Sequence, residues 1–188
     1  MKIAKISSYR HADAILKYEY AQERKELFTA IERAAWCHRD EPLIRKRNDK
    51  VVAVLSVSQT ATNKALEVEF KKFDWKIRPQ IISKTDSGLA ADFRKSKIQV
   101  EVQFGNMARW YTDVFKFLLS YSADDIEVGV LVVPMQKTAN RIDENVAYYE
   151  RVMRELPAAK MGITIPILVL GVEDTDCDEG VPKNLQKH

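Results

Sequence analysis

Hydrophobic and polar positions along this chain change period several times, and each change predicts an element. From Lys97 to Phe104 they alternate: Ile98, Val100, Val102 and Phe104 point one way, and Gln99, Glu101 and Gln103 the other, as a strand requires. Met1 to Ser8 alternates weakly and predicts a short strand. A helical stretch opens at His11-Ala12-Asp13-Ala14-Ile15-Leu16, and Leu27, Phe28, Ile31, Ala34 and Ala35 form a helical stripe within Tyr20–Trp36. Val51–Val57 is a β-branched run and a predicted strand, and Gln59–Phe73 predicts a helix ended by Trp75 and Pro79.

Gly105 stops the alternating strand, and Asn106 is placed to cap a helix over Met107–Tyr121, whose stripe Tyr111, Val114, Phe115, Leu118 and Leu119 is expected to face the core. Nearly continuous apolar sequence at Ile126–Pro134 and again at Ile163–Val172 predicts two strands covered on both sides, with a charged segment, Lys137–Asn145, and a helix, Val146–Leu156, between them. The order predicts one α/β domain over residues 1–172, a central mixed sheet flanked by helices, followed by a flexible tail at 173–188.

Composition adds little to this picture. The 188 residues, 46% hydrophobic and 30% charged, suit one folded domain with a sizeable core, and the net charge of +3 does not by itself declare a nucleic-acid binder. Cys37 and Cys177 lie far apart with no CxxC pair, which suggests neither a zinc site nor a disulfide framework. The absence of a long apolar run and of a signal-peptide core leads us to expect a cytoplasmic protein with no membrane partner.

Candidate chemistry concentrates in Ala91–Asn106. Glu101 and Gln103 share one face of the strand, and a turn at Arg94–Ser96 would bring Asp92 back toward Glu101. Two carboxylates held in this way offer hard oxygens for Mg²⁺, with positions left for phosphate and water. The same alternation also describes any half-solvated strand. The Arg45-Lys46-Arg47 cluster, in a polar connection over His38–Lys50, is either a solvated face or an arm for phosphate. His11, alone near a helix start, reads as a cap or a surface residue.

With Asp92, Glu101-Val102-Gln103-Phe104-Gly105-Asn106 and the aromatic-rich helix beyond them, the chain resembles the BglII and BstYI group of type II restriction endonucleases, within the PD-(D/E)xK nuclease superfamily. Met1-Lys2-Ile3, His11–Leu16, Thr62-Asn63 with Trp75-Lys76, Ile126–Val130 with Pro134-Met135, and Tyr148-Tyr149-Glu150 extend the likeness to about residue 172. The resemblance implies a restriction-endonuclease-like core and Mg²⁺-dependent hydrolysis of double-stranded DNA at a short palindrome, GATC at its centre, leaving 5′-phosphate and 3′-hydroxyl ends. It implies a homodimer and no nucleotide cofactor.

By the same likeness Asp92 and Glu101 would hold the metal, with the Val102 carbonyl as a third protein ligand, and Gln103 would stand where most of the superfamily has Lys. An ammonium can stabilise developing negative charge, whereas an amide can only orient water, so this departure shifts activation toward the metal. DNA contacts are implied for Gly105, Asn106 and Arg109, and for Asn140, Arg141, Glu144 and Asn145 in the segment before Tyr148. Arg, Asn and Glu suit guanine, adenine and cytosine edges respectively. The dimer interface is expected on the helix carrying Trp110 and Phe117. Two alternatives remain at this stage: a non-cleaving DNA-binding protein on the same fold, and an unrelated metal-dependent phosphohydrolase acting on a nucleotide or RNA. The lack of a Gly-rich loop removes the P-loop version of the latter.

Overall fold

The computed structural model describes residues 1–47, 50–82, 88–159 and 162–175. Eight strands appear in chain order: β1 (Lys2–Tyr9), β2 (Leu43–Arg47), β3 (Lys50–Val54), β4 (Lys76–Ile77), β5 (Phe93–Lys95), β6 (Ile98–Val102), β7 (Val128–Pro134) and β8 (Ile167–Glu173). Six helices run between them: α1 (Ala12–Tyr18), α2 (Ala21–Arg33), α3 (Gln59–Lys71), α4 (Arg109–Ser122), α5 (Gln136–Ile142) and α6 (Tyr149–Glu155).

Six of the strands make one mixed sheet in the order β1-β8-β7-β6-β5-β4. The centre is parallel, β6 to β7 and β7 to β8, while β1, β5 and β4 extend it by antiparallel pairing. Every residue of β7 is buried, as the continuous apolar run predicts for a strand with helices on both faces. Under α1, α2 and α3, the face carrying Ile98, Val100, Val130, Val132, Leu168 and Leu170 meets Leu16, Leu27, Ile31, Leu66 and Phe70. On the opposite face Leu131, Val133, Ile167 and Val169 meet Trp110, Val114 and Phe117 of α4, and Val152 of α6. Gly129 makes this second approach possible: a Cβ there would lie 2.8 Å from Phe117 Cγ.

The elements expected from the sequence are present; the charged segment Lys137–Asn145 folds largely as helix α5, and there are four further differences. The polar connection containing Arg45, Lys46 and Arg47 is instead β2, paired antiparallel with β3, while residues 48–49 lie outside the described part. The motif turn falls at Ser96-Lys97 rather than Arg94–Ser96, because Arg94 and Lys95 pair with Gln99 and Ile98. Ser96 takes the left-handed conformation, at φ 49°, that closes this tight hairpin.

Helix α4 is the third difference. Its inward residues are Trp110, Asp113, Val114, Phe117 and Ser120, while Tyr111 and Phe115, expected in the core, are 48% and 53% exposed. The helix turns polar groups inward because the strand face beneath it is itself polar. Trp110 and Phe117 are therefore monomer core, and they are not available as a dimer surface. Finally, the expected tail starts too early: Glu173 belongs to β8, and Asp174 is buried against His38 and Arg141. The tail from residue 176, with Cys177, lies outside the described residues.

Candidate active site

The β5–β6 hairpin places Phe93 opposite Val100, which carries the preceding Asp92 level with Glu101. Half-buried Asp92 accepts a hydrogen bond through Oδ2 from the Val102 main-chain N–H at 2.7 Å. The acid is thereby locked onto the strand that bears Glu101. Asp92 also lines a pocket between α3 and the hairpin, with Asn63, Glu67, Arg78 and Val102 on its walls. Arg78 donates from its main-chain N–H to the Asp92 carbonyl and from Nη2 to Glu67 Oε1, each at 3.0 Å.

Gln99, Glu101 and Gln103 share a face as the alternation predicts, yet that face is not solvated. Glu101 is fully buried. Gln99 Nε2 donates to Glu101 Oε1 at 2.8 Å, and Lys116 Nζ of α4 donates to Glu101 Oε2 at 2.7 Å. Lys116 also reaches Asp113 Oδ1 at 3.1 Å, and Gln103 Nε2 donates to Asp113 Oδ2 at 2.7 Å. Gln103 Oε1 accepts from the Gly105 N–H at 2.9 Å, so the carboxamide bridges α4 and the strand's exit loop. On the other side Gln99 Oε1 accepts from Ser120 Oγ and from Arg94 Nη2. Polar groups facing one another across β6 and α4 are thus paired into a continuous network, which is the condition for burying them at tolerable cost.

The network carries an excess of negative charge. Burial, with Asp92 adding to it, pushes the Glu101 carboxyl up to about 8, and the Lys116 ammonium only partly offsets this. Burial likewise raises Asp92 and Asp113 above the usual carboxylate range. Burial acts to lower the Lys116 ammonium, but Glu101 and Asp113 outweigh it and hold it above its ordinary value. Three carboxylates around one ammonium form a site that a further cation would relieve.

Among the described residues no group of three or more His, Cys, Asp or Glu side chains stands in metal-holding geometry. The donors that fit a hard cation are fewer: the carboxylates of Asp92 and Glu101, with the carbonyl of Val102, the residue after Glu101. Oxygen ligands of this type, with positions left open, suit Mg²⁺ and poorly suit softer metals.

The two segments expected to touch DNA come together. Met107 N–H donates to the Asn145 carbonyl at 2.7 Å and Ala147 N–H to the Gly105 carbonyl at 3.1 Å, flanking a bridge between Asn106 and Val146. Asn106, Arg109, Asn140, Glu144 and Asn145 are exposed around this strip, while Gly105 is buried within it. Asn106 does not cap α4 directly; its Oδ1 accepts from the Ala108 N–H at 2.8 Å, in the turn that precedes the helix.

Arg141 is placed differently. Its side chain is 6% exposed, with Nη1 on Asp174 Oδ2 at 2.7 Å and Nε on the Leu55 carbonyl at 2.9 Å, so it braces the interior and does not present its guanidinium to a groove. Arg45, Lys46 and Arg47 lie on β2, outside the six-stranded sheet. Lys116, Asp113 and Gln99 were missed from the sequence. The available signal was the helical spacing of Asp113, Lys116 and Ser120, one polar stripe opposite the polar face of β6.

A family model described as restriction endonuclease BglII/BglIII matches residues 4–172. No curated protein matches the sequence. Among solved structures, restriction endonuclease BglII complexed with a DNA 16-mer is similar at TM-score 0.76 and 22% identity, over 93% of this chain and 77% of that one. Free BglII is similar at TM-score 0.67 and 23% identity, over 93% of this chain and 81% of that one. At these identities the structural likeness carries the fold.

Proposed function

The chain belongs to the BglII/BglIII restriction endonuclease family and is a DNA-cleaving hydrolase of the type II, site-specific kind; from that premise we propose that it cuts a short palindrome centred on GATC, as a Mg²⁺-dependent homodimer, leaving 5′-phosphate and 3′-hydroxyl ends. The observation that supports this best is the pairing of Asp92 with Glu101, one acid on the pocket wall and the other buried beside it, joined through the Val102 N–H. In this reading Asp92 and Glu101 hold the metal ion, with the Val102 carbonyl as a further ligand. When bound, the ion would make a coordinated water more acidic and polarise the scissile phosphate.

The chain's own residues do the rest by holding position. Gln99 fixes one oxygen of Glu101 and leaves the carboxylate a single orientation. Gln103 ties β6 to Asp113 and to the Gly105 N–H, and so sets the strand's exit loop at a fixed distance from Glu101. Exposed Asn106, Arg109, Asn140, Glu144 and Asn145 are the groups that would meet bases and phosphates beyond that loop. A two-fold dimer would give each strand of a palindrome its own site. Tyr111 and Phe115, in place of Trp110 and Phe117, are exposed on α4 and available to such an interface.

The test is cleavage of unmethylated phage DNA in Mg²⁺, against EDTA and the Asp92→Ala variant, with the fragment ends sequenced. Discrete bands from the wild type, none from Asp92→Ala, and DNA retention by both are expected. Cleavage by Asp92→Ala would remove the site assignment, and ends not centred on GATC would correct the recognition sequence.

A further inference from the structure

Several buried charges in this molecule have a purely internal setting. Arg141 and His38 close on Asp174, and Lys95 closes on Glu26 and the Phe73 carbonyl, away from the Asp92 pocket. Lys116 is not on the wall of that pocket either, but it stands against Glu101, the acid beside Asp92, and it has a donor left to offer. Its Nζ lies 2.7 Å from Glu101 Oε2 and 3.1 Å from Asp113 Oδ1, and its side chain is 15% exposed. An ammonium has three N–H donors. Two go to these acids, and the third has no acceptor among the described residues.

The strand's own candidate for this place is already occupied: Gln103 spans Asp113 Oδ2 and the Gly105 N–H. An amide carries no net charge to set against a phosphate, while the ammonium beside it does. Asp113, on the preceding turn of the same helix, steers the long lysine stem toward β6 and away from solvent. A charged donor aimed where negative charge develops, in a site with little water, is worth far more than the same donor on a surface.

We infer that Lys116 is a catalytic residue of DNA cleavage: delivered from α4, its ammonium hydrogen-bonds a non-bridging oxygen of the scissile phosphate and stabilises the charge that builds there. The inference rests on the reading of Asp92 and Glu101 as the site of reaction. In the step itself a water oxygen forms the new bond to phosphorus and gives its proton to solvent. The bond from phosphorus to the 3′-oxygen breaks, and that oxygen leaves with the electron pair and takes a proton from solvent. Lys116 keeps its proton throughout. Asp113 is a positioning residue, acting through Lys116 and Gln103.

The test compares wild type, Lys116→Met, Lys116→Gln, Lys116→Arg and Asp92→Ala in single-turnover cleavage of a plasmid bearing the site that the wild type cuts. Each is measured at saturating Mg²⁺, with DNA retention in Ca²⁺ and the thermal midpoint followed in parallel. Loss of one such donor is expected to slow Lys116→Met by about 100-fold or more, with DNA retention within a few-fold and half-saturation by Mg²⁺ no weaker. Lys116→Arg, which keeps the charge, is expected to recover much of the rate. Lys116→Gln keeps a hydrogen-bonding group without the charge; it covers the case in which Met disrupts folding, and it too must be slow. A variant that loses thermal stability yet cuts at the wild-type rate once Mg²⁺ is saturating would make Lys116 a structural counter-ion and overturn the inference. Inactive Asp92→Ala alongside fully active Lys116→Met sinks the lysine alone, whereas active Asp92→Ala sinks the site on which it rests.

Discussion

The two faces of β6 are built from opposite materials. Toward α1–α3 it presents Ile98 and Val100, fully buried among Leu66, Phe70 and Phe93. Toward α4 it presents Gln99 and Glu101, equally buried, followed by Gln103. The first face stabilises by removing apolar area from water, at roughly 25 cal/mol for each Å². The second keeps polar groups out of water and recovers that cost only through complete pairing, so it adds little or nothing to stability. One strand thus serves as a foundation on one side and, on the proposed function, as a reaction surface on the other, and mutations on the two sides should have separable consequences.

The sharpest break is Glu101→Gln. On the proposed metal role, single-turnover cleavage should fall by about 1,000-fold or more, while the thermal midpoint of the metal-free protein should change little near pH 7, where burial already keeps the Glu101 carboxyl protonated and the amide replaces a neutral group. A large loss of stability with cleavage retained would invert the assignment of the two faces. On the apolar side Leu170→Ala, at a fully buried position, should cost about 2–5 kcal/mol in urea unfolding and leave cleavage measurable below the lowered midpoint. Gly129→Ala tests the contact between sheet and α4. Its Cβ would press on the Phe117 ring at 2.8 Å, and a loss of about 1–3 kcal/mol is expected from overpacking. Because α4 also carries Lys116 and Asp113, this variant should lose cleavage rate as well, and so join the two effects that the others keep apart.

The comparison can also be sharpened through pH. Folding raises the Glu101 carboxyl from 4.5 to about 8, chiefly by burial. Across that interval the folded, metal-free protein keeps a proton that the unfolded chain releases, so stability falls as pH rises. The slope reaches at most about 1.4 kcal/mol per pH unit. Asp92 and Asp113 are raised in the same direction and steepen the lower end. Thermal midpoints in EDTA from pH 5 to 8 should therefore decline more steeply for wild type than for Glu101→Gln. Parallel profiles would place the protonated group elsewhere.

Elements whose sequence carried one unambiguous period were legible. The runs that became β7 and β8 could be only strands covered on both sides, and the alternation at Ile98–Val102 fixed which residues share a face. The alternation did not say whether the polar face met water. That depends on α4, and the apolar stripe of α4 taken alone points the wrong face inward. Tyr111 and Phe115 read as core by the apolar stripe alone, which leaves Lys116 off the inward face. The correct choice needs both elements at once, since Asp113, Lys116 and Ser120 become inward residues only when matched to Gln99 and Glu101. The return of Asp92 toward Glu101 was legible because it is local to a hairpin. Arg141 was misplaced because its partner Asp174 lies far along the chain, a contact that no spacing announces.

The strip joining Gly105–Met107 to Asn145–Ala147 is held by main-chain bonds. Its outward side chains, Asn106 and Asn145 among them, can therefore be exchanged without cutting the link to the strand that bears Glu101. If this strip meets the bases, as proposed, an evolving lineage could revise which letters are read while the strand bearing Glu101 stays untouched, and a laboratory library confined to the exposed positions of this strip would begin from folded proteins.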